Sequence, residues 1–261
     1  MLRRTLLFTG VCLLIVVLSS CSSMPPKSLP EQKTAASLGS VSPLLGAPVR
    51  QDTFHMVGPA ETLWRISKMY DVSVEAIMKA NNLKSETKID MGQRLLIPQA
   101  APLRPIIPLY KTSKWRYIII HHSATDAGNA YSLYDMHLRR GFWNGLGYHF
   151  VIDNGTFGKA IGQIEISPRW IKQQDGAHCK ASNMNSMGIG ICLVGNYSED
   201  QVPEKQLDSL VYLVCMLQHY YNIPTSNILG HGQVAGAATE CPGLRFPWKL
   251  FWNKFYTTQK K

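Results

Sequence analysis

Residues 117–122 read Tyr-Ile-Ile-Ile-His-His. A run of consecutive β-branched apolar side chains has no polar face to turn toward water, so it suits a strand buried on both sides inside a sheet. The segments around it predict how that strand is covered. Residues 129–140 predict a helix ended by Gly141, and residues 147–153 a strand closed by an Asn154-Gly155 turn. Residues 188–195, rich in Ile, Leu and Val, predict a further strand. In the longest predicted helix, 203–221, Leu207, Leu210, Val211, Val214, Leu217 and Gln218 recur at helical spacing. Strands and helices interleave, which predicts an α/β domain with a mixed central sheet flanked by helices.

The apolar run ends in His121-His122, and far downstream stand Gly230-His231 and Thr239-Glu240-Cys241-Pro242-Gly243. A His leaving a buried strand, a distant second His and a Cys are the nitrogen and sulfur ligands that Zn²⁺ prefers. Three protein ligands leave a fourth position for water, a catalytic arrangement. Strand alternation sends His121 and His122 to opposite faces, so only one of them joins such a site.

At 261 residues the chain exceeds a typical single domain of roughly 100 to 200 residues. Hydrophobic residues make up 45% and charged ones 17%, a composition that excludes disorder over the bulk of the chain. Residues 1–20 read as a leader: Arg3-Arg4 precede an apolar stretch from 6 to 18 broken only by Thr9 and Gly10. An apolar core of about 13 residues falls short of the ~20 needed for a spanning helix. Leu18-Ser19-Ser20-Cys21 resembles the lipobox of bacterial lipoproteins, which implies cleavage before Cys21 and acylation of that residue. Ser22 after it is similar to the signal that lets lipoproteins reach the outer membrane, so the implied location is the cell envelope, lipid-anchored and facing the periplasm. Several acyl chains together hold durably where one alone does not. The net charge of +10 favours a polyanionic partner. For an exported chain that partner is the cell wall or anionic lipid, and no nucleic acid is expected. Cys12 leaves with the leader, and the spacing of Cys179, Cys192, Cys215 and Cys241 forms no disulfide framework. Cys192 and Cys215 lie in apolar runs and read as buried, inert thiols.

Residues 21–52 carry Cys21 and then a flexible tether rich in Ser, Pro, Ala, Gly, Lys and Thr. From 53 to 98 a compact unit follows. Residues 54–57 alternate as a strand, and Gly58-Pro59 breaks it. Residues 61–70 form a helix with Leu63, Ile66, Ser67 and Tyr70 on one face. Ser73 caps a second helix, 74–80, with Ala76, Ile77 and Ala80 inward, and 93–97 is a closing strand. This βααβ order, with Glu61-Thr62-Leu63-Trp64, Tyr70-Asp71-Val72-Ser73, Asn81-Asn82-Leu83 and Gly92-Gln93-Arg94-Leu95-Leu96-Ile97-Pro98, resembles a LysM domain. The resemblance implies binding of N-acetylglucosamine-containing glycans between residues 58–62 and 83–89, with Glu61, Thr62, Leu83 and Ile89 as the contact residues. Trp64 is expected to pack inward. Residues 99–112, with several Pro, form an extended linker, and the second domain occupies 113–261.

Within that domain, Tyr117-Ile118-Ile119-Ile120-His121-His122-Ser123-Ala124-Thr125, Gly147-Tyr148-His149-Phe150-Val151-Ile152, Gly176-Ala177-His178, Asn185-Ser186, Gly188-Ile189-Gly190, Gly230-His231 and Thr239-Glu240-Cys241-Pro242-Gly243 occur in order. Together they resemble the phage-lysozyme-type N-acetylmuramoyl-L-alanine amidases, whose fold animal peptidoglycan-recognition proteins share. The resemblance implies Zn²⁺ held by His121, His231 and Cys241, and catalytic roles for Tyr148 and Thr239; Glu240 is a spare candidate for proton transfer and is expected to be exposed. It also implies a substrate groove lined by His178 and Asn185, to which His137 is added. The implied partner is peptidoglycan, both glycan strand and stem peptide. In this chain Gly232-Gln233 stands where relatives often carry Arg and an acidic residue, so any bond those make must be made otherwise. The alternative is a non-catalytic peptidoglycan-binding lipoprotein. Cys241 argues against it, since relatives that have lost catalysis typically lack that ligand.

Overall fold

The computed structural model describes residues 49–142 and 144–260. The leader, Cys21 and the tether up to residue 48 lie outside the described residues. No helix among the described residues is long and apolar enough to cross a membrane.

The smaller unit is built on β1 (Gln51–Met56) and β2 (Arg94–Ala100), paired antiparallel. Between them run α1 (Leu63–Tyr70) and α2 (Val74–Ala80). Thr62 Oγ1 accepts from Arg65 N at the start of α1 and Ser73 Oγ from Ala76 N at the start of α2. Such caps are worth about 1 kcal/mol each. Leu63, Ile66, Met69, Ile77, Leu95 and Ile97 close a small core of their own. Trp64 is not part of it: the residue is 61% exposed, with Lys68 Nζ 5.9 Å from the ring centroid. The inward stripe of α1 is already filled, and Trp64 shares the outer face with the residue four positions on.

The larger unit comprises β3 (Tyr117–His122), α3 (Ala130–Arg139), β4 (Phe150–Asn154), β5 (Ile161–Ile166), α4 (Pro168–Ile171), α5 (Met184–Met187), β6 (Gly188–Leu193), α6 (Glu204–Tyr221), β7 (Ile228–Gly230) and α7 (Trp248–Gln259). Its five strands run in the order β5-β4-β6-β3-β7. β4, β6, β3 and β7 are mutually parallel and β5 is antiparallel to β4, so the sheet is mixed as expected. β3 lies between β6 and β7, and Ile118, Ile119 and Ile120 are fully buried. One face of the sheet, with Ile118, Ile120, Phe150, Ile152, Ile189, Ile191 and Leu193, packs on α6 and α7. The other carries Ile119, Val151 and Cys192, the last two beneath α3. In α3, Asn129 and Ser132 form a reciprocal capping box, and Gly141 takes φ +86 just past the helix end. β4 starts three residues later than its apolar pattern. Gly147 N is taken by His137 Nδ1 (3.0 Å) and its carbonyl by Ala177 N (2.9 Å), so the strand ladder cannot extend back to it.

The two units are joined by buried polar contacts. Lys159 Nζ pairs with Glu165 at 2.6 Å, with side chains 0% and 2% exposed, and donates to Met56 O at 2.7 Å. Glu165 Oε1 accepts from Ala130 N, at the start of α3. Gly58 sits where a Cβ would lie 2.7 Å from Glu165 Oε2. Glu61 turns inward, its Oε2 accepting from Gly58 N (2.6 Å) and bonded to His55 Nε2 (2.8 Å). Burial would raise the Glu61 carboxyl, but His55, with Lys159 and Arg65, overcomes it and holds the pKa at about 2. The stretch after β2 is a strap. Ala101 N and Arg104 N bond to Tyr70 O and Met69 O, Arg65 Nε donates to Ile106 O, and Trp170 Nε1 donates to Pro108 O.

Candidate metal centre

β3 and β7 are parallel neighbours, and Ile120 stands opposite Gly230. The next residue after each of these is a histidine, His121 still on β3 and His231 just past the end of β7, so the register sets them side by side at the carboxyl ends of the strands, where ligands of open α/β sheets bind. Their ring centroids are 4.7 Å apart. Cys241 arrives from the following loop, which Gly232 N closes by donating to Cys241 O at 2.7 Å. A Cβ on Gly232 would lie 2.3 Å from Thr239 O, so only glycine lets the loop close this tightly. Gln233 Oε1 accepts from Gly230 N (2.8 Å) and steadies the turn that carries His231. Cys241 Sγ lies 3.6 Å from His121 Nδ1 and accepts from His122 N at 3.4 Å.

The ligand atoms of His121, His231 and Cys241 all lie within 4.8 Å of one another. Ligand bonds of about 2.0 to 2.3 Å in a tetrahedron require separations of about 3.5 Å, which small side-chain adjustments would reach. The donor set suits a divalent cation. Burial drives His121 well below its ordinary pKa, with His178 and His231 adding to the shift, and burial lowers His231 too; both keep a neutral lone pair. Burial pushes the Cys241 thiol up to about 12, so a thiolate there calls for a cation beside it.

His122 points away from this cluster, its Nδ1 accepting from Tyr197 N at 3.1 Å. Tyr148, just ahead of β4, lies with its ring 5.1 Å from that of His121. Burial, reinforced by the thiols of Cys192 and Cys241, raises its phenol well above the ordinary range, so it stays protonated. Thr239 is exposed, and its Oγ1 accepts from Cys241 N at 3.2 Å, which leaves the hydroxyl proton free. Glu240 is exposed.

The residues expected to line the groove are differently engaged. His137 is buried, braces Gly147 through Nδ1 and stacks on Phe142 at 4.8 Å. Burial, with Arg140 and Arg169, lowers its pKa to about 4. His178 is 8% exposed, with Nδ1 3.1 Å from His121 Nε2 and Nε2 3.2 Å from Gly188 O. Burial holds it neutral, with a pKa of about 3. Asn185 Oδ1 accepts from His178 N and Cys179 N at 2.7 and 2.8 Å. In the small unit, Thr62 is exposed at its cap, Leu83 and Ile89 are half-buried against the core, and the Glu61 carboxylate faces inward.

Cys192, expected to be a buried, inert thiol, is fully buried, and burial holds its thiol well above the ordinary range. It stands opposite His121 in the β3–β6 register, on the face that carries Tyr148. Cys179, Cys192, Cys215 and Cys241 are all free.

Residues 111–244 match the N-acetylmuramoyl-L-alanine amidase family (Amidase_2), and residues 55–98 match the LysM domain. Over 143 residues the chain is 28% identical to peptidoglycan-recognition protein 2 of Holotrichia diomphalia, covering 51% of this chain and 70% of that one. It is 32% identical to peptidoglycan-recognition protein LB of Drosophila melanogaster over 143 residues, 49% of this chain and 55% of the relative. The N-acetylmuramoyl-L-alanine amidase of Sus scrofa is 30% identical over 141 residues, 49% of this chain but 21% of that protein. Among solved structures, the amidase LysC from Clostridium intestinale URNW is 31% identical, with a TM-score of 0.45 over 55% of this chain and 86% of that one. Residues 111–244 include His121, His231 and Cys241, and the chain belongs to the N-acetylmuramoyl-L-alanine amidase (Amidase_2) family, with a LysM domain ahead of the family domain.

Proposed function

We propose that the protein is a zinc-dependent amidase that cleaves the bond between N-acetylmuramic acid and L-alanine in peptidoglycan. The observation that carries this reading is the convergence of His121, His231 and Cys241 from two strand ends and a loop. When bound, Zn²⁺ supplies a Lewis acid for the scissile carbonyl and lowers the pKa of water toward about 7. The chain's own groups do the rest. Tyr148, kept protonated, donates from Oη to the carbonyl oxygen as negative charge develops there. Thr239 Oγ1 is fixed by Cys241 N and offers a second, uncharged donor. The alanine nitrogen departs with the proton that the attacking water gives up.

In the same reading the LysM domain holds glycan, and acylated Cys21 anchors the protein in the outer membrane, facing the periplasm. The relatives include recognition proteins, and Cys241 supports the enzyme over a purely binding role. The deciding experiment is mass spectrometry of sacculi digested by the purified full chain, with and without a chelator. Release of free stem peptides beginning with L-alanine, lost on chelation and restored by zinc, is expected. No release with zinc present, or full activity in His231→Ala, would overturn the proposal. For the anchor, Cys21→Ala is expected to abolish metabolic labelling with palmitate, and persistent labelling would refute lipidation at that residue.

A further inference from the structure

We propose that His178 is a positioning residue for the metal centre: its Nδ1 accepts the Nε2–H of His121 and thereby presents His121 Nδ1 to the metal. This rests on the reading that His121, His231 and Cys241 hold zinc.

The hydrogen-bond chain determines both tautomers. Gly188 O can only accept, so His178 Nε2, 3.2 Å away, carries the proton. A neutral imidazole has one N–H, which leaves His178 Nδ1 as an acceptor. His121 Nε2, 3.1 Å from it, must then be the donor, and the free lone pair of His121 sits on Nδ1. Independently of that chain, His121 Nδ1 is the atom that faces Cys241 Sγ, at 3.6 Å. Two observations therefore select the same ligand atom.

The His178 ring is also fixed in place. Asn185 Oδ1 takes the backbone N–H of His178 and of Cys179. A Cβ on Gly190 would lie 2.4 Å from the His178 ring, and one on Gly176 would lie 2.3 Å from it, so two glycines shape the slot that holds it. With both ring nitrogens engaged, His178 has none left for a substrate. A partner at the second nitrogen of a ligating histidine sets its orientation and raises its basicity, and losing one typically weakens metal affinity about 10- to 100-fold.

The test uses the full chain, stripped of metal and titrated with Zn²⁺ against a chelator of known affinity, and with Co²⁺ to follow the thiolate-to-metal absorption band. His178→Phe, which fills the slot without an acceptor, is expected to weaken Zn²⁺ binding about 10- to 100-fold and to shift the Co²⁺ band. His178→Gln can accept from His121 with its amide oxygen and donate to Gly188 O, and is expected to stay within about threefold of the parent. Nitrogen-15 NMR of the unsubstituted apo protein gives a reading free of folding defects: both His121 and His178 should be Nε2–H tautomers. A proton on His121 Nδ1, or an unchanged affinity in a folded His178→Phe, overturns the proposal while leaving the zinc reading intact. Failure of the parent chain to bind zinc at all overturns both.

Discussion

Replacing Lys159 by Met should destabilise the whole folded unit by an amount set by what the ammonium leaves behind. Met keeps most of the apolar stem and removes the charge. Glu165, 2% exposed, then retains Ala130 N as its hydrogen-bond donor, and Met56 O loses the 2.7 Å bond from Nζ. Stranding one partner of a buried pair costs about 3 to 5 kcal/mol. With a urea slope of about 2 to 3 kcal/mol per molar, the midpoint should fall by about 1 to 2 M. The assay is equilibrium urea unfolding followed by tryptophan fluorescence, with limited proteolysis of the strap at residues 101–110 as a second probe. Adding Glu165→Gln removes the stranded charge and should recover about half of the loss or more. A loss below about 1 kcal/mol, or a double variant no more stable than the single one, would refute the view that this pair holds the LysM domain against the amidase domain.

Tyr148→Phe should lower kcat by about 100-fold or more with little change in KM, since the phenol is assigned a role only as charge develops on the carbonyl oxygen; a change confined to KM would contradict that. The Glu61 carboxyl is depressed from 4.5 to about 2, so the stability it contributes is complete above pH 4.5 and lost as pH falls toward 2. Acid unfolding of Glu61→Gln should therefore show a shallower dependence across that window, and an unchanged slope would argue against the His55 contact as its cause. Gly232→Ala should weaken zinc binding measured by chelator competition, because its Cβ would meet Thr239 O at 2.3 Å and open the loop that delivers Cys241.

Much of this arrangement was legible in the sequence because its elements are long or periodic. β3 announces itself by three successive isoleucines, α6 by its apolar stripe, and α3 by Asn129 ahead of it and Gly141 behind. What escaped was short, or depended on a partner. β7 is only three residues, too brief for any periodicity, yet its register with β3 is what pairs His121 with His231. β5 alternates Ile164 and Ile166 with Gln163 and Glu165, which reads as a strand with one wet face, whereas Glu165 is buried there, its charge answered by Lys159. The neighbours of His178 are brought to it by backbone register and glycine clearance, which leave no local mark. Trp64 misled because aromatics usually face the core, whereas the stripe of α1 was already complete without it.

The strap and the buried pair have a consequence for how a polymer is met. A binding module on a loose leash helps by raising local concentration, and any spacing between its grip and the cut will serve. Here the LysM and amidase domains are clasped into one body, so if both engage peptidoglycan the distance between held sugar and cleaved amide is constant. Such a body would act as a gauge. Its gain in affinity would depend on whether the repeat of the glycan strand matches that distance, and strands with stems at the wrong interval would be gripped without being cut.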